Sequence, residues 1–165
     1  EEKELEVYSS DSDRHRTFIR SYPILAASGN IGPKLREGDW QVPEGIYQIE
    51  SLNPNSQFHL SLRVNYPNKF DHEQARLEGR TNLGGDIMIH GSNVSIGCLA
   101  MGDLVAEEIF VLANDVGLKN IEVVISPIDF RKSEISEDEL QKLPKWTDIL
   151  YQNIKHKVLE LEKTE

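Results

Sequence analysis

His90-Gly91-Ser92-Asn93-Val94-Ser95-Ile96-Gly97-Cys98 places the single cysteine of the chain in a short loop that starts at a histidine. The apolar run Ile87-Met88-Ile89 before it reads as a short strand, and a helical pattern opens near Asp103 after it. A histidine leaving a strand and a cysteine in a glycine turn ahead of a helix are the parts of a thiol acyl-transfer site. Cys98 as thiolate would attack a carbonyl, and His90 would take and return the proton. The N–H groups of Gly97 and Cys98 are the candidate oxyanion donors. A thiol titrates near pH 8.5 when unperturbed, so work near neutral pH calls for a histidine or helix N-terminus that lowers it. Ser95 is expected to position the loop.

Outward from this stretch, the first two thirds of the chain read as β-rich. Leu5-Glu6-Val7-Tyr8 alternates, and Thr17 to Arg20 followed by Ile24 to Ala27 reads as a strand interrupted at Pro23. Gly45 to Ile49 and Phe58 to Leu62 alternate as half-buried strands do. Polar turns are expected at Asp11-Ser12-Asp13 and Asn53-Pro54-Asn55. Residues 66–85 read as a long surface loop with a short helix over Asp71 to Leu77.

Leu104, Val105, Ile109, Leu112, Ala113 and Val116 follow helical spacing, with Asp103 as N-cap and Gly117 at the stop. Glu107 and Glu108 read as a solvated face. Ile121 to Ile125 reads as a buried strand. In the tail, Ser136 with Glu139 fits a capping box, and Pro144 suits the start of a second helix. Ile149, Leu150, Ile154, Val158 and Leu161 form its apolar stripe.

A length of 165 residues suits one domain with a real core. With 28 acidic and 18 basic residues the net charge is -10, which disfavours nucleic acid as a partner. No apolar stretch approaches the ~20 residues that span a bilayer, and Glu1-Glu2-Lys3-Glu4 does not read as a signal peptide. One cysteine cannot form an internal disulfide, which leaves the compartment open.

Rival chemistries are weaker. His59, His72 and His90 with Asp71 offer metal-ligand types, yet their spacing matches no zinc motif, so neither a metal nor any other cofactor is expected. A redox cysteine would need a resolving partner. Trp40 and Tyr66 would serve a non-catalytic glycan-binding module. Asp39 and Glu44 read as parts of a turn framed by Gly38, Pro43 and Gly45.

The chain resembles the L,D-transpeptidase (YkuD) family, and the form His-Gly-…-Ser-x-Gly-Cys-x-Ala-Met is closest to its YafK-like branch. Tyr22 to Gly29 with Gly32-Pro33-Lys34 is similar to the family's first strand and turn. Gly38-Asp39-Trp40-Gln41-Val42-Pro43-Glu44-Gly45-Ile46-Tyr47 resembles its Gly-Asp-x-x-x-Pro-Glu-Gly-x-Tyr signature, and Asn65 to Asn68 and Gly79-Arg80-Thr81 match as well. The resemblance implies an α+β, β-rich catalytic domain over residues 1–130, with a helical C-terminal extension over 131–165 packing on it. It implies Cys98 and His90 as catalytic residues, with the Gly91 carbonyl orienting the imidazole. It also implies peptidoglycan stem peptides as substrates, cleaved or joined beside diaminopimelate, wall-attached protein as a further partner, and a cell-envelope location. Two departures stand out. Ile96 replaces a second histidine and Ala100 an Arg or Asn, which leaves an acceptor less firmly held and leans the chemistry toward hydrolysis.

Overall fold

Residues 3–12 and 15–161 are described in this computed structural model. Asp13, expected in the first turn, and Glu1 and Glu2 of the acidic start lie outside the described residues. The chain begins with an antiparallel hairpin of β1 (Glu4–Ser10) and β2 (Arg16–Pro23). Five more strands follow: β3 (Gly45–Ser56), β4 (His59–Val64), β5 (Met88–His90), β6 (Leu99–Ala100) and β7 (Glu122–Ile125). They form a sheet of order β6-β5-β4-β3-β7, antiparallel throughout except for the parallel pair β5–β6. Helices α1 (Lys69–Leu77), α2 (Asp103–Val116), α3 (Glu137–Leu140) and α4 (Thr147–Leu159) complete an α+β fold. That is the class the sequence implies.

Alternation places Tyr47 and Ile49 of β3 inside and Gln48 and Glu50 outside. Leu62, Val64, Ile87, Ile89, Leu99 and Met101 join them in one core, closed by Ile109 and Ala113 of α2. Each such large side chain contributes ~1.5–3 kcal/mol on burial. β7 lies at the sheet edge and is half-buried, not fully buried as its apolar run suggests.

Several local expectations need correction. Asn53-Pro54-Asn55 is not a turn. β3 runs through it, and a register shift between Asn53 and Ser56 absorbs one extra residue around Pro54, which has no N–H to give a ladder. The segment 66–85 is tied down and not a free loop. Asn68 caps α1 by accepting from Phe70 and Asp71 N–H, so the helix starts before Asp71, and Arg80 donates to Leu35 O at 2.9 Å. Gly102, not Asp103, is the N-cap of α2, because the Asp103 carboxylate is spent on the Ser92 N–H at 2.7 Å. Gly117, at φ 84°, stops the helix as expected. Glu108 accepts from Arg20 and Tyr22, and Glu107 pairs with His59, so both brace neighbouring elements across an exposed face.

Ser136 caps α3 through the Glu139 N–H. α4 begins at Thr147 and not at Pro144, with Trp146 packed edge-on to Phe70 and its indole N–H on Glu78. Leu150, Ile154 and Val158 are buried with Tyr151 and Phe130, whereas Ile149 falls off the stripe and is exposed.

Glu44 fastens this tail. Its carboxylate accepts from the Gly32 N–H at 2.9 Å and the Tyr151 hydroxyl at 2.6 Å. Burial pushes its pKa up to about 7 from 4.5, despite both hydrogen bonds pulling down. A raised folded pKa gives stability that is whole below about 4.5 and lost as pH rises through about 7. The neutral Glu44→Gln variant should therefore gain on wild type by up to about 3 kcal/mol between pH 4.5 and 8. Thermal denaturation at pH 4.5 and pH 8 measures it. A stability difference independent of pH would remove Glu44 as the titrating group. Asp71, raised to about 6 by burial, keeps a residual slope of the same sign in both proteins.

Candidate functional site

β5 ends on His90, and β6 begins immediately after Cys98. Their parallel register pairs Ile89 with Leu99 and His90 with Ala100. One step back along that register sets Cys98 across from Met88. Cys98 itself lies in the bend ahead of β6, and its side chain turns in toward the backbone of β5. The contacts agree. The Met88 N–H donates to Cys98 Sγ at 3.4 Å, and the thiol donates to the Asp86 carbonyl at 3.6 Å.

His90 is 2 % exposed, and its Nδ1 lies 2.5 Å from the Gly91 carbonyl. A carbonyl only accepts, so Nδ1 carries the proton and Nε2 keeps its lone pair. The Phe58 ring sits 4.7 Å from the imidazole, tilted by 31°. Gly91 has no room for a side chain, since a Cβ there would lie 2.6 Å from Asp103 Oδ1 and 2.7 Å from the Phe58 carbonyl. The glycine thus lets strand, helix and ring close around the histidine.

Both expected oxyanion donors are occupied. The Cys98 N–H donates to Ser95 Oγ at 3.0 Å, and the same hydroxyl donates to the Cys98 carbonyl at 2.5 Å. The Gly97 N–H donates to Ser28 Oγ at 2.7 Å, and Ser28 donates to the Trp40 carbonyl at 2.7 Å. Ser95, three residues ahead of Cys98, folds back as serines in short loops do. Ser28 is the site residue that sequence reasoning missed. Its only signal was membership of the Tyr22 to Gly29 block, and the contact spans two distant segments.

The thiol's electrostatics also depart from expectation. Burial pushes Cys98 up from its ordinary value, and the Asp86 charge adds to this. The Met88 N–H and Lys34 pull the other way without prevailing. Cys98 therefore rests as a neutral thiol.

Strain collects here. Among the described residues, the non-glycine positions with positive φ are Trp40, His59, Asp86 and Ser92. Each adjoins the site: Trp40 through Ser28, His59 beside Phe58, Asp86 at Sγ, and Ser92 after Gly91. Such backbone costs energy that a rigid surround must hold in place.

Other candidates separate. Asp39 accepts from the N–H groups of Leu35, Arg36 and Gln41 and from Lys34 Nζ at 2.5 Å, so it shapes its turn. Tyr66 is buried with its hydroxyl on the carbonyls of Lys34 and Leu83, which removes it as a sugar platform, while Trp40 is 67 % exposed. Ile96 is 73 % exposed, but Ala100 is fully buried, so its methyl offers substrate no contact. His59 pairs with Glu107 and Asp71 with Tyr47. Among the described residues no His, Cys, Asp and Glu group of metal-binding size occurs.

The profile of the YkuD family, the L,D-transpeptidase catalytic domain, matches residues 2–125. The chain belongs to this family. It is 34 % identical over 132 residues to the Escherichia coli K12 protein named "Putative L,D-transpeptidase YafK", covering 77 % of this chain and 51 % of that protein. The chain thus spans about half the length of the curated relatives it matches. The crystal structure of the helical cell shape determining protein Pgp2 from Campylobacter jejuni superposes with a TM-score of 0.55 at 28 % identity, over 69 % of this chain and 41 % of that one. Bdellovibrio bacteriovorus Bd1075 shares the fold at a TM-score of 0.55 and 22 % identity, over 95 % of this chain and 52 % of that one. No helix among the described residues is long and apolar enough to cross a membrane.

Proposed function

We propose that this member of the YkuD family is a cysteine acyl-transfer enzyme of the cell envelope, acting on peptidoglycan stem peptides at bonds beside diaminopimelate. One observation carries the reading: Cys98 Sγ sits against the Met88 N–H of β5, the strand that ends on His90, and the Gly91 carbonyl orients the His90 ring. The family relationship supplies the substrate class.

In the mechanism, donor binding turns the thiol from the Asp86 carbonyl toward His90 Nε2, which takes its proton. The thiolate attacks the scissile carbonyl, and the oxyanion draws on the Gly97 and Cys98 N–H groups as the Ser28 and Ser95 hydroxyls turn aside. The intermediate collapses to a thioester, and imidazolium returns the proton to the leaving amine. An amine then resolves the thioester by transfer, or water by hydrolysis. The exposed, apolar Ile96 gives an acceptor amine little to hold, which favours water. A wall-attached protein is a second class of partner under this chemistry, and α4 braces the turn that carries Glu44 through Tyr151.

Purified protein incubated with muropeptides, with and without excess diaminopimelate-containing acceptor, tests the reading by mass spectrometry. Hydrolysed product should dominate even with acceptor present. Dominant cross-linked product would restore transfer as the main outcome. No reaction with muropeptides, but cleavage of protein-linked peptidoglycan, would assign the enzyme as an amidase of wall-attached protein. A protein inert in all three arms, with a thiol unreactive to mild alkylation, would be a binding module.

A further inference from the structure

Asp86 stands where backbone, charge and nucleophile meet. Its φ of 54° is in the left-handed region, and its carbonyl accepts the Cys98 thiol proton at 3.6 Å. Its carboxylate, 78 % exposed, pairs with Arg63 Nη2 at 3.1 Å. Arg63 reaches from β4, where it pairs in register with Met88, the residue whose N–H touches Sγ. The same guanidinium faces Glu50 at 3.1 Å through Nε, which has no well-aligned hydrogen bond.

Two carboxylates therefore share one guanidinium, and the Glu50–Arg63–Asp86 group carries one net negative charge beside the thiol. The cation that acts on the thiol among the described residues, Lys34, is already engaged. The Lys34 ammonium is spent on Asp39 and the Arg36 carbonyl, and the His90 Nδ1 proton on Gly91. An uncompensated negative charge opposes a thiolate next to it. A cation arriving with the substrate would remove that opposition where and when the thiolate forms.

We propose that Asp86 is a positioning and specificity-determining residue: its carbonyl parks the resting thiol, and its carboxylate receives an ammonium group of the acyl donor beside the attacked carbonyl. The inference rests on Cys98 being the nucleophile and deepens the substrate class to amine-bearing acyl donors. Arg63 holds the carboxylate in place and leaves it half-satisfied, so the site selects for charge without binding the cation permanently.

Methanethiosulfonate reagents test this without an assumed substrate. They convert Cys98 thiolate to a mixed disulfide and release methanesulfinate, and they come with an ammonium, a sulfonate or a neutral tail. Rates are compared for the wild-type chain, Asp86→Asn and Arg63→Met. Asn tolerates left-handed backbone, so Asp86→Asn keeps the fold while removing the charge. The ratio of ammonium to sulfonate reagent rates should fall about two- to fivefold in Asp86→Asn and rise by a similar factor in Arg63→Met. With the neutral reagent, Asp86→Asn should react faster than wild type and Arg63→Met slower near neutral pH. Structural loosening would accelerate both variants, so opposite signs separate the charge effect from damage. Unchanged charge ratios in both variants, or shifts of the same sign, would overturn the inference. Turnover of stem peptides by wild type alongside unchanged ratios would leave the function and remove Asp86. The predicted ratios in a protein inert toward peptidoglycan would keep Asp86 and remove the function.

Discussion

The Cys98→Ala protein should release no product from muropeptides and form no covalent adduct with them, while melting close to the wild-type temperature. The side chain makes two weak contacts, one with the Met88 N–H and one with the Asp86 carbonyl. Its loop is held by other groups, namely the Ser95 hydroxyl on the Cys98 backbone and the Ser28 hydroxyl on Gly97. Removing sulfur should therefore cost no more than about 1 kcal/mol of stability and the whole of the covalent route. Cys98→Ser provides the companion measurement. It keeps a hydrogen-bonding atom at the same place but replaces the nucleophile with a far weaker one. Wild-type rates in either variant would end the acyl-enzyme mechanism.

Loss of the His90 imidazole should lower the acylation rate by about 10²–10⁴-fold, the usual value of a positioned general base. His90→Ala also opens space beneath Phe58 in a buried region, so part of its effect would be structural. His90→Gln separates the two. Glutamine fills most of the volume, and its amide can still donate to the Gly91 carbonyl, but it cannot take a proton. Single-turnover acylation followed across pH is the measurement. Wild-type acylation should rise with pH toward the suppressed acidity of the Cys98 thiol, and His90→Gln should be slow throughout. Equal rates and equal pH profiles in wild type and His90→Gln would exclude His90 as the base.

The sequence made the strand–loop–helix frame of the site readable because its elements are short-range, though the two-residue strand β6 between loop and helix gave no local signal. An apolar triplet, a glycine turn and a helical period each declare themselves locally. The family blocks brought in the α+β fold and, with the string around them, the roles expected of Cys98 and His90. What stayed hidden depends on distant partners. Nothing around Asn53-Pro54-Asn55 announces that β4 will pair across it and turn an expected loop into a bulged strand. Asp103 has the right type for a cap, but Ser92 claims its carboxylate first. The occupied state of the Gly97 and Cys98 N–H groups depends on Ser28, far away in sequence, and on a serine folding back onto its own loop. The direction of the thiol's shift followed burial, which no residue pattern around Cys98 reports.

The parked thiol has a bearing on chemical durability. Hydrogen peroxide and related oxidants attack the deprotonated sulfur, which passes through sulfenic to sulfinic and sulfonic acids, and the last steps are irreversible. Cys98 spends its idle time half-buried and protonated, its proton directed at the Asp86 carbonyl and its ordinary acidity suppressed. In that state it offers oxidants little to react with. Under the proposed mechanism the sulfur becomes vulnerable chiefly when a bound donor turns it toward His90, which takes the proton, and then the donor itself covers it. The described residues hold no second cysteine to rescue an oxidised one, so under the proposed acyl-transfer chemistry this protection between turnovers would preserve working lifetime.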